Sequence, residues 1–212
     1  MSFGYDPEAR GAGGGRRASV RDRPGRGPVA MSERYLALLR GINVGGNNII
    51  AKNDLRRCFE DLGFTNVRTY IQSGNIVFRA RSGEKQQLTA RVEAGLSERF
   101  SYAARAVVLS YADYRALLDA APPAWGEDPA YRHNALFTLA GTTPADVLAS
   151  IPPVKEELET VAAGPGVVFW SADKKRVTRS AFVKLPAHPI YQQVTIRNHN
   201  TVRRLATLLE ET

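Results

Sequence analysis

The sequence predicts an α+β fold of two ferredoxin-like (βαββαβ-type) halves behind a tail of different character. Three observations carry that reading. Strand and helix periodicities alternate in the order βαββαβ from Tyr35 to Leu109. A second, more eroded set of strand and helix signals follows from Asn134 to Leu209, which reads as a duplication. Residues 1–30 hold seven of the 18 glycines, six arginines and scarcely any large apolar residue, so they cannot bury enough surface to offset the entropy of ordering.

Taken in order, Tyr35-Leu36-Ala37-Leu38-Leu39 is a continuous apolar run that suits a strand buried on both faces. A Gly/Asn-rich loop follows, Arg40-Gly41-Ile42-Asn43-Val44-Gly45-Gly46-Asn47-Asn48. Leu55, Phe59 and Leu62 then recur at helical spacing, with Gly63 placed to stop the helix in the left-handed conformation. Cys58 sits beside that stripe and is expected to be a buried, inert thiol. Two strands, 67–71 and 76–78, turn on Ser73-Gly74-Asn75. Leu88, Val92, Leu96 and Phe100 mark a second helix, and Ala106-Val107-Val108-Leu109 a fourth strand. A helix over 111–120 and the Pro-rich connector Pro122-Pro123-Ala124-Trp125 lead to the second half. There a strand at 134–139, a helix opening at Thr143-Pro144, a hairpin of 158–162 with 167–170, and a basic stretch over 174–184 are expected. A final helix follows, with Val202, Leu205, Ala206 and Leu209 on one face.

The domain organisation follows: a disordered Arg/Gly-rich tail over 1–30, a first α+β subdomain over 31–110, a helix and connector over 111–133, and a second α+β subdomain over 134–212. The tail has no apolar core of a signal peptide, and Met31 stands directly before the first strand, so the expected natural start is Met31. The net charge is +8, of which the tail's arginines, set against Asp6, Glu8 and Asp22, contribute three. The basic body attracts anions, so nucleic acid and phosphorylated small molecules are the expected partners. No stretch reaches the roughly 18 apolar residues of a membrane span. A single cysteine excludes an internal disulfide and Cys-rich metal sites, and the expected location is cytoplasmic. His133, His188 and His199 show no metal-ligand spacing, so neither metal nor cofactor is expected.

Three stretches carry a resemblance. They are Arg40-Gly41-Ile42-Asn43-Val44-Gly45-Gly46, then Thr69-Tyr70-Ile71-Gln72-Ser73-Gly74-Asn75-Ile76-Val77-Phe78, then Thr195-Ile196-Arg197-Asn198-His199-Asn200-Thr201-Val202. In this order and spacing the chain resembles the DUF1697 family of uncharacterised proteins. The resemblance implies paired α+β subdomains and no mechanism. One departure is His199, where similar sequences commonly carry tryptophan, which argues against a role requiring an aromatic stack there.

The loop over 40–48 is the leading site candidate, through Arg40, Gly41, Asn43, Gly45, Gly46 and Asn47. Glycines let backbone N–H groups approach an anion, and a helix N-terminus follows. The competing reading is a tight connection whose asparagines bond their own backbone. It is neither a Walker A loop nor GxGxxG. Ser73 and Asn75 would join the site if their turn lies beside the loop. Arg197 and Asn198 offer a second anion cradle, or else Asn198 or Asn200 simply caps the last helix. Lys174, Lys175 and Arg176 read as a nucleic-acid contact or as a solvated face. No GxSxG elbow, RNP motif or catalytic carboxylate pair is recognisable. The functional expectation is therefore binding of a phosphate-bearing ligand through 40–48. The alternatives are a small-molecule enzyme using Arg40, Asn43 and Asn75 in a cleft between the halves, and an interaction scaffold anchored on Trp125 if that ring is exposed.

Overall fold

The computed structural model describes residues 32–42, 49–71 and 74–212. The tail, the expected start at Met31, and Asn43, Gly45, Gly46, Asn47 and Ser73 lie outside the described residues. The first half runs β1 (Ser32–Arg40), α1 (Lys52–Asp61), β2 (Thr65–Tyr70), β3 (Asn75–Arg81), α2 (Lys85–Phe100) and β4 (Arg105–Ser110), followed by α3 (Tyr111–Asp119). The second runs β5 (Tyr131–Thr138), α4 (Pro144–Ser150), β6 (Glu159–Gly164), β7 (Val167–Asp173) and β8 (Val194–Asn198), followed by α5 (His199–Glu210). Each half forms a four-stranded antiparallel sheet, in the orders β2-β3-β1-β4 and β6-β7-β5-β8. The position of each strand in its sheet is the same in both. Each last strand also runs straight into a helix capped by its own final residue: Ser110 accepts from Asp113 N, and Asn198 from Thr201 N. The mixed α+β class and two similar halves are thus what the chain adopts.

The alternation of β1 explains how the halves meet. Tyr35, Ala37 and Leu39 face an outer core with Leu55, Phe59, Leu88, Val92 and Leu96 of α1 and α2. Leu36 and Leu38 face a central core shared with Ala135 and Phe137 of β5, Val167 and Phe169 of β7, Tyr114 and Leu117 of α3, and Val202 and Leu205 of α5. A third core lies on the far face of the second sheet, around Leu136, Val168 and Trp170. Trp170 and Phe169 therefore serve opposite faces of one fully covered strand. Arg34 and Arg79 of the first sheet donate to the carbonyls of Leu209, Glu210 and Thr212, which ties the end of α5 to the first half. Cys58 is buried, and desolvation raises its thiol pKa. Gly63 ends α1 with φ of +78°, in the left-handed region.

Two elements differ from expectation. Strand β5 begins at Tyr131, inside the expected connector, because Lys174 N bonds Ala130 O and prolongs the β5–β7 ladder. Where a βαββαβ order would place its second helix, the second half forms three 3₁₀ turns, Val177–Arg179, Phe182–Ala187 and Pro189–Gln193. Pro186 and Pro189 remove the amides a continuous α-helix would use. Among the described residues no helix is long and apolar enough to cross a membrane.

Candidate ligand-binding site

The three signature stretches, far apart in sequence, meet at the end of β1. Leu39 N donates to Gly74 O at 2.8 Å, so the β2–β3 turn lies directly beside the start of the 40–48 loop. Gly74 has φ of +73°, and a Cβ there would sit 2.8 Å from Leu39 Cβ and 2.9 Å from Ile42 Cγ1. Only glycine permits both the turn and that approach. Asn75, buried at the start of β3, closes the turn by donating to Tyr70 O at 3.0 Å.

Arg197 fastens the junction. It is 6% exposed and arrives on β8 from the opposite half. Its Nε donates to Asn75 Oδ1, one terminal nitrogen to Thr195 Oγ1 and Ile196 O at 2.8 Å each, and the other to Leu39 O at 2.8 Å and Gly74 O at 3.2 Å. Thr195 Oγ1 adds a bond to Leu39 O at 3.1 Å. All five donors of the guanidinium are engaged, which is the planar fork's advantage over a lysine. Every one of these acceptors is uncharged, and among the described residues no carboxylate pairs with Arg197. Burial pushes its pKa down to about 10, so it still carries its charge at neutral pH.

Arg40 stands at the same strand end but is only half-buried. One terminal nitrogen donates to Tyr191 O at 3.3 Å, and the guanidinium lies over the Tyr191 ring at 5.5 Å. Its Nε is buried with no partner among the described residues. Arg40, Gly41, Asn75 and Arg197 are therefore gathered at one place. Asn198 is not with them. Successive strand residues point to opposite faces, and its side chain caps α5 at 2.8 Å from Thr201 N. It lines a separate cleft of about 590 Å³ together with Lys174, His133, His199 and Tyr131. Lys174 donates to Pro129 O, and Arg176 pairs with Asp173 at 2.7 Å, while Lys175 is solvent-exposed.

Several residues here have no signal in the sequence read alone. Tyr191, the platform for Arg40, sits in a 3₁₀ turn. Thr195 was legible only as the residue two before Arg197, on the same strand face. His133 and His199 lie 66 positions apart by number, yet their ring centroids are 6.1 Å from each other. His199 also meets Trp125 edge-on at 5.0 Å, so the departure from tryptophan keeps an aromatic contact at that position. Burial, followed by Arg203 and His133, lowers the His199 pKa below the usual histidine value. Trp125 is 7% exposed and donates to Asn134 O at 3.2 Å; it packs the halves together and presents no anchor to a partner.

Two antiparallel α+β halves locked by one buried arginine, where three signature stretches meet, define the class of protein. The chain belongs to the family "Protein of unknown function (DUF1697)", whose model matches residues 32–169. The third stretch lies beyond that match. Among solved structures the chain is similar to the conserved bacterial protein SP0830 from Streptococcus pneumoniae, with 31% identity and a TM-score of 0.76 over 84% of this chain and 99% of that one. No curated protein matches it.

Proposed function

We propose that the chain binds a phosphate-bearing ligand, a nucleotide or a nucleic acid, where the 40–48 loop, the 73–75 turn and Arg197 meet. Both halves are read as ferredoxin-like units related by duplication, in support of which stand the matching strand orders and the two strand-end helix caps. The observation that carries the binding reading is a pair of guanidinium groups at one strand end, neither with a carboxylate partner among the described residues. Arg197 has spent its donors on the fold, so its part is electrostatic: a fixed positive charge in a low-dielectric setting at Leu39, where β1 ends. Arg40 Nε has no partner among the described residues, and Arg40 is the residue that touches the ligand. Gly41 beside it has φ of +72°, a left-handed conformation that glycine adopts without strain. Lys174, at the separate cleft of the second half, and the adjoining Lys175 and Arg176 form a second contact if the ligand is a polymer.

The test is Arg40→Lys, with stability and binding measured side by side using ATP and a single-stranded oligonucleotide as probes. The site reading expects near-native melting and affinity weakened by about 1–3 kcal/mol, the range of a charge-assisted hydrogen bond. A lower melting temperature with unchanged affinity assigns Arg40 to the fold and removes the loop as a site. For the oligonucleotide, binding falls steeply with salt, and neutralising Lys174, Lys175 and Arg176 together flattens that slope. Failure of both probes to bind at millimolar concentration overturns the proposal.

A further inference from the structure

The β5–β7 register sets His133 directly opposite Ser171. Both lie on the sheet face that carries Ala135 and Phe169, turned toward the central layer and the connector. His133 Nε2 is 2.8 Å from the main-chain oxygen of Asp128, and Nδ1 is 2.8 Å from Ser171 Oγ. These two contacts assign the tautomer. A carbonyl oxygen can only accept, so the neutral ring's proton is on Nε2, and Nδ1 presents a lone pair. Ser171 is therefore the donor in its bond to His133. The Asp128 carbonyl is itself held in place, accepting from Tyr131 N at 3.1 Å, while Asp128 Oδ1 accepts from Ala130 N at 2.8 Å.

A hydroxyl that donates to an imidazole, whose other nitrogen is fixed by an acceptor, is the arrangement of nucleophile, base and orienting group found in acyl transfer. The surroundings suit it. Ser171 is 8% exposed, and it shares with His133 a cavity of about 390 Å³ walled by Pro122, Trp125, Val161 and Phe169. The Trp125 wall is fixed by its bond to Asn134 O. We propose that Ser171 is the nucleophile, and His133 its base, of a second site that cleaves small activated acyl groups bearing an apolar or aromatic part. This proposal is independent of the anion-binding reading and uses none of its residues.

The substrate class follows from what the strand can offer. β7 lies between β5 and β6, so the Ser171 amide is committed to the sheet ladder and cannot serve the developing oxyanion. An activated carbonyl, as in an aryl ester or a thioester, asks for less such help. Ser171 Oγ attacks the carbonyl carbon as its proton passes to His133 Nδ1. Collapse of the adduct breaks the bond to the leaving oxygen or sulfur, which takes that proton, and the acyl group remains on Ser171. Water then attacks the acyl carbon, giving its proton to His133; the acid departs and Ser171 Oγ recovers its proton. The sum is ester or thioester plus water giving acid plus alcohol or thiol, with no change of oxidation state. Asp128 is a positioning residue through its main chain and carries no charge in the relay.

The experiment treats the full chain with a fluorophosphonate reagent and maps the adduct by mass spectrometry, alongside hydrolysis of 4-nitrophenyl butyrate. Expected are a single adduct on Ser171, its loss in Ser171→Ala, and labelling and hydrolysis slowed at least about tenfold in His133→Phe, since general-base assistance contributes on the order of 100-fold or more. Saturating ATP, the probe of the anion site, leaves labelling and hydrolysis unchanged, which separates this site from the anion site. A folded wild-type chain that takes up no label on Ser171 overturns the proposal, whatever the variants do. So does hydrolysis that survives Ser171→Ala, or labelling of Ser171 that proceeds at the wild-type rate in His133→Phe.

Discussion

The outer layers of the two halves cover the same kind of sheet by different physics. In the first half two helices lay periodic apolar faces on the sheet, and Phe59, Phe64 and Phe78 form a ring cluster with centroids 4.5 to 5.8 Å apart. In the second half the crossover from β7 to β8 has no such helix. Its turns are gathered instead by one buried carboxylate, Glu159, which accepts from Trp170 Nε1 at 2.9 Å, Ala181 N at 2.6 Å, and Phe182 N and Lys155 N at 3.3 Å each. Both layers bury apolar area, and the second adds a polar hub to it. The strand order is the same in both, so the sheet, and not the layer above it, is what the two halves share.

If the halves form one cooperative unit, the largest effect comes from cutting the arginine that joins them. Arg197→Met leaves Asn75 Oδ1, Leu39 O and Gly74 O short of donors inside the protein. Loss of at least about 3 kcal/mol is expected, since each buried polar group deprived of a hydrogen bond costs about 1–3 kcal/mol. Urea unfolding followed separately by the fluorescence of Trp125 and Trp170 and by far-UV circular dichroism should show one shifted transition. Two separate transitions would break the comparison, because the halves would then be independent bodies.

The expected architecture was legible wherever apolar period set it: β1, the stripes of α1, α2 and α5, and the glycine turn at 74 all follow from local spacing. The junction was half legible. Its three stretches could be picked out, but a sequence does not say that Arg197 spends every donor on backbone and amide oxygens, nor that Arg40 keeps one back. The β7–β8 crossover was not legible, because its order comes in part from Glu159, 22 and 23 positions before the amides it holds there. The His133–Ser171 pair depends on strand register, which no local pattern fixes.

The hairpin glycines sharpen the comparison at a smaller scale. Gly74 and Gly166 occupy equivalent turns with φ of +73° and +68°. An alanine at either pays the left-handed penalty of roughly 1–2 kcal/mol. At Gly166 a Cβ would meet nothing within 4 Å, whereas at Gly74 it would strike Leu39 and Ile42 below 3.0 Å. Gly166→Ala should therefore cost about 1 kcal/mol, and Gly74→Ala at least about 2 kcal/mol, as overpacking adds to the backbone strain. Equal costs in thermal unfolding would mean that the first turn is free to move away from the strand beneath it.

The smallest effect concerns the cleft side of the second half, where His199 is wedged between Trp125 and Gly126. Burial, Arg203 and His133 disfavour its protonated form, and Asn200 and Glu127 oppose them only in part. The folded pKa is thus below the unfolded value of about 6.5. The sign follows from proton linkage. Above about pH 6.5 the ring is neutral in both states, and its contribution to stability is complete. As pH falls, the unfolded chain takes up a proton that the folded chain resists, so stability declines until the folded pKa is passed. The wild-type slope sums every group that binds protons on unfolding, so by itself it does not isolate this ring. The difference between wild type and His199→Phe, a ring of similar size that cannot ionise, isolates the term. The wild-type melting temperature should fall more between pH 7 and pH 5 than that of the variant, by less than either glycine effect because the ring is partly open to solvent. Parallel curves, or a wild type that gains stability on acidification relative to the variant, would show that the wedge does not resist the proton and that the cleft around His199 opens to water on the way down.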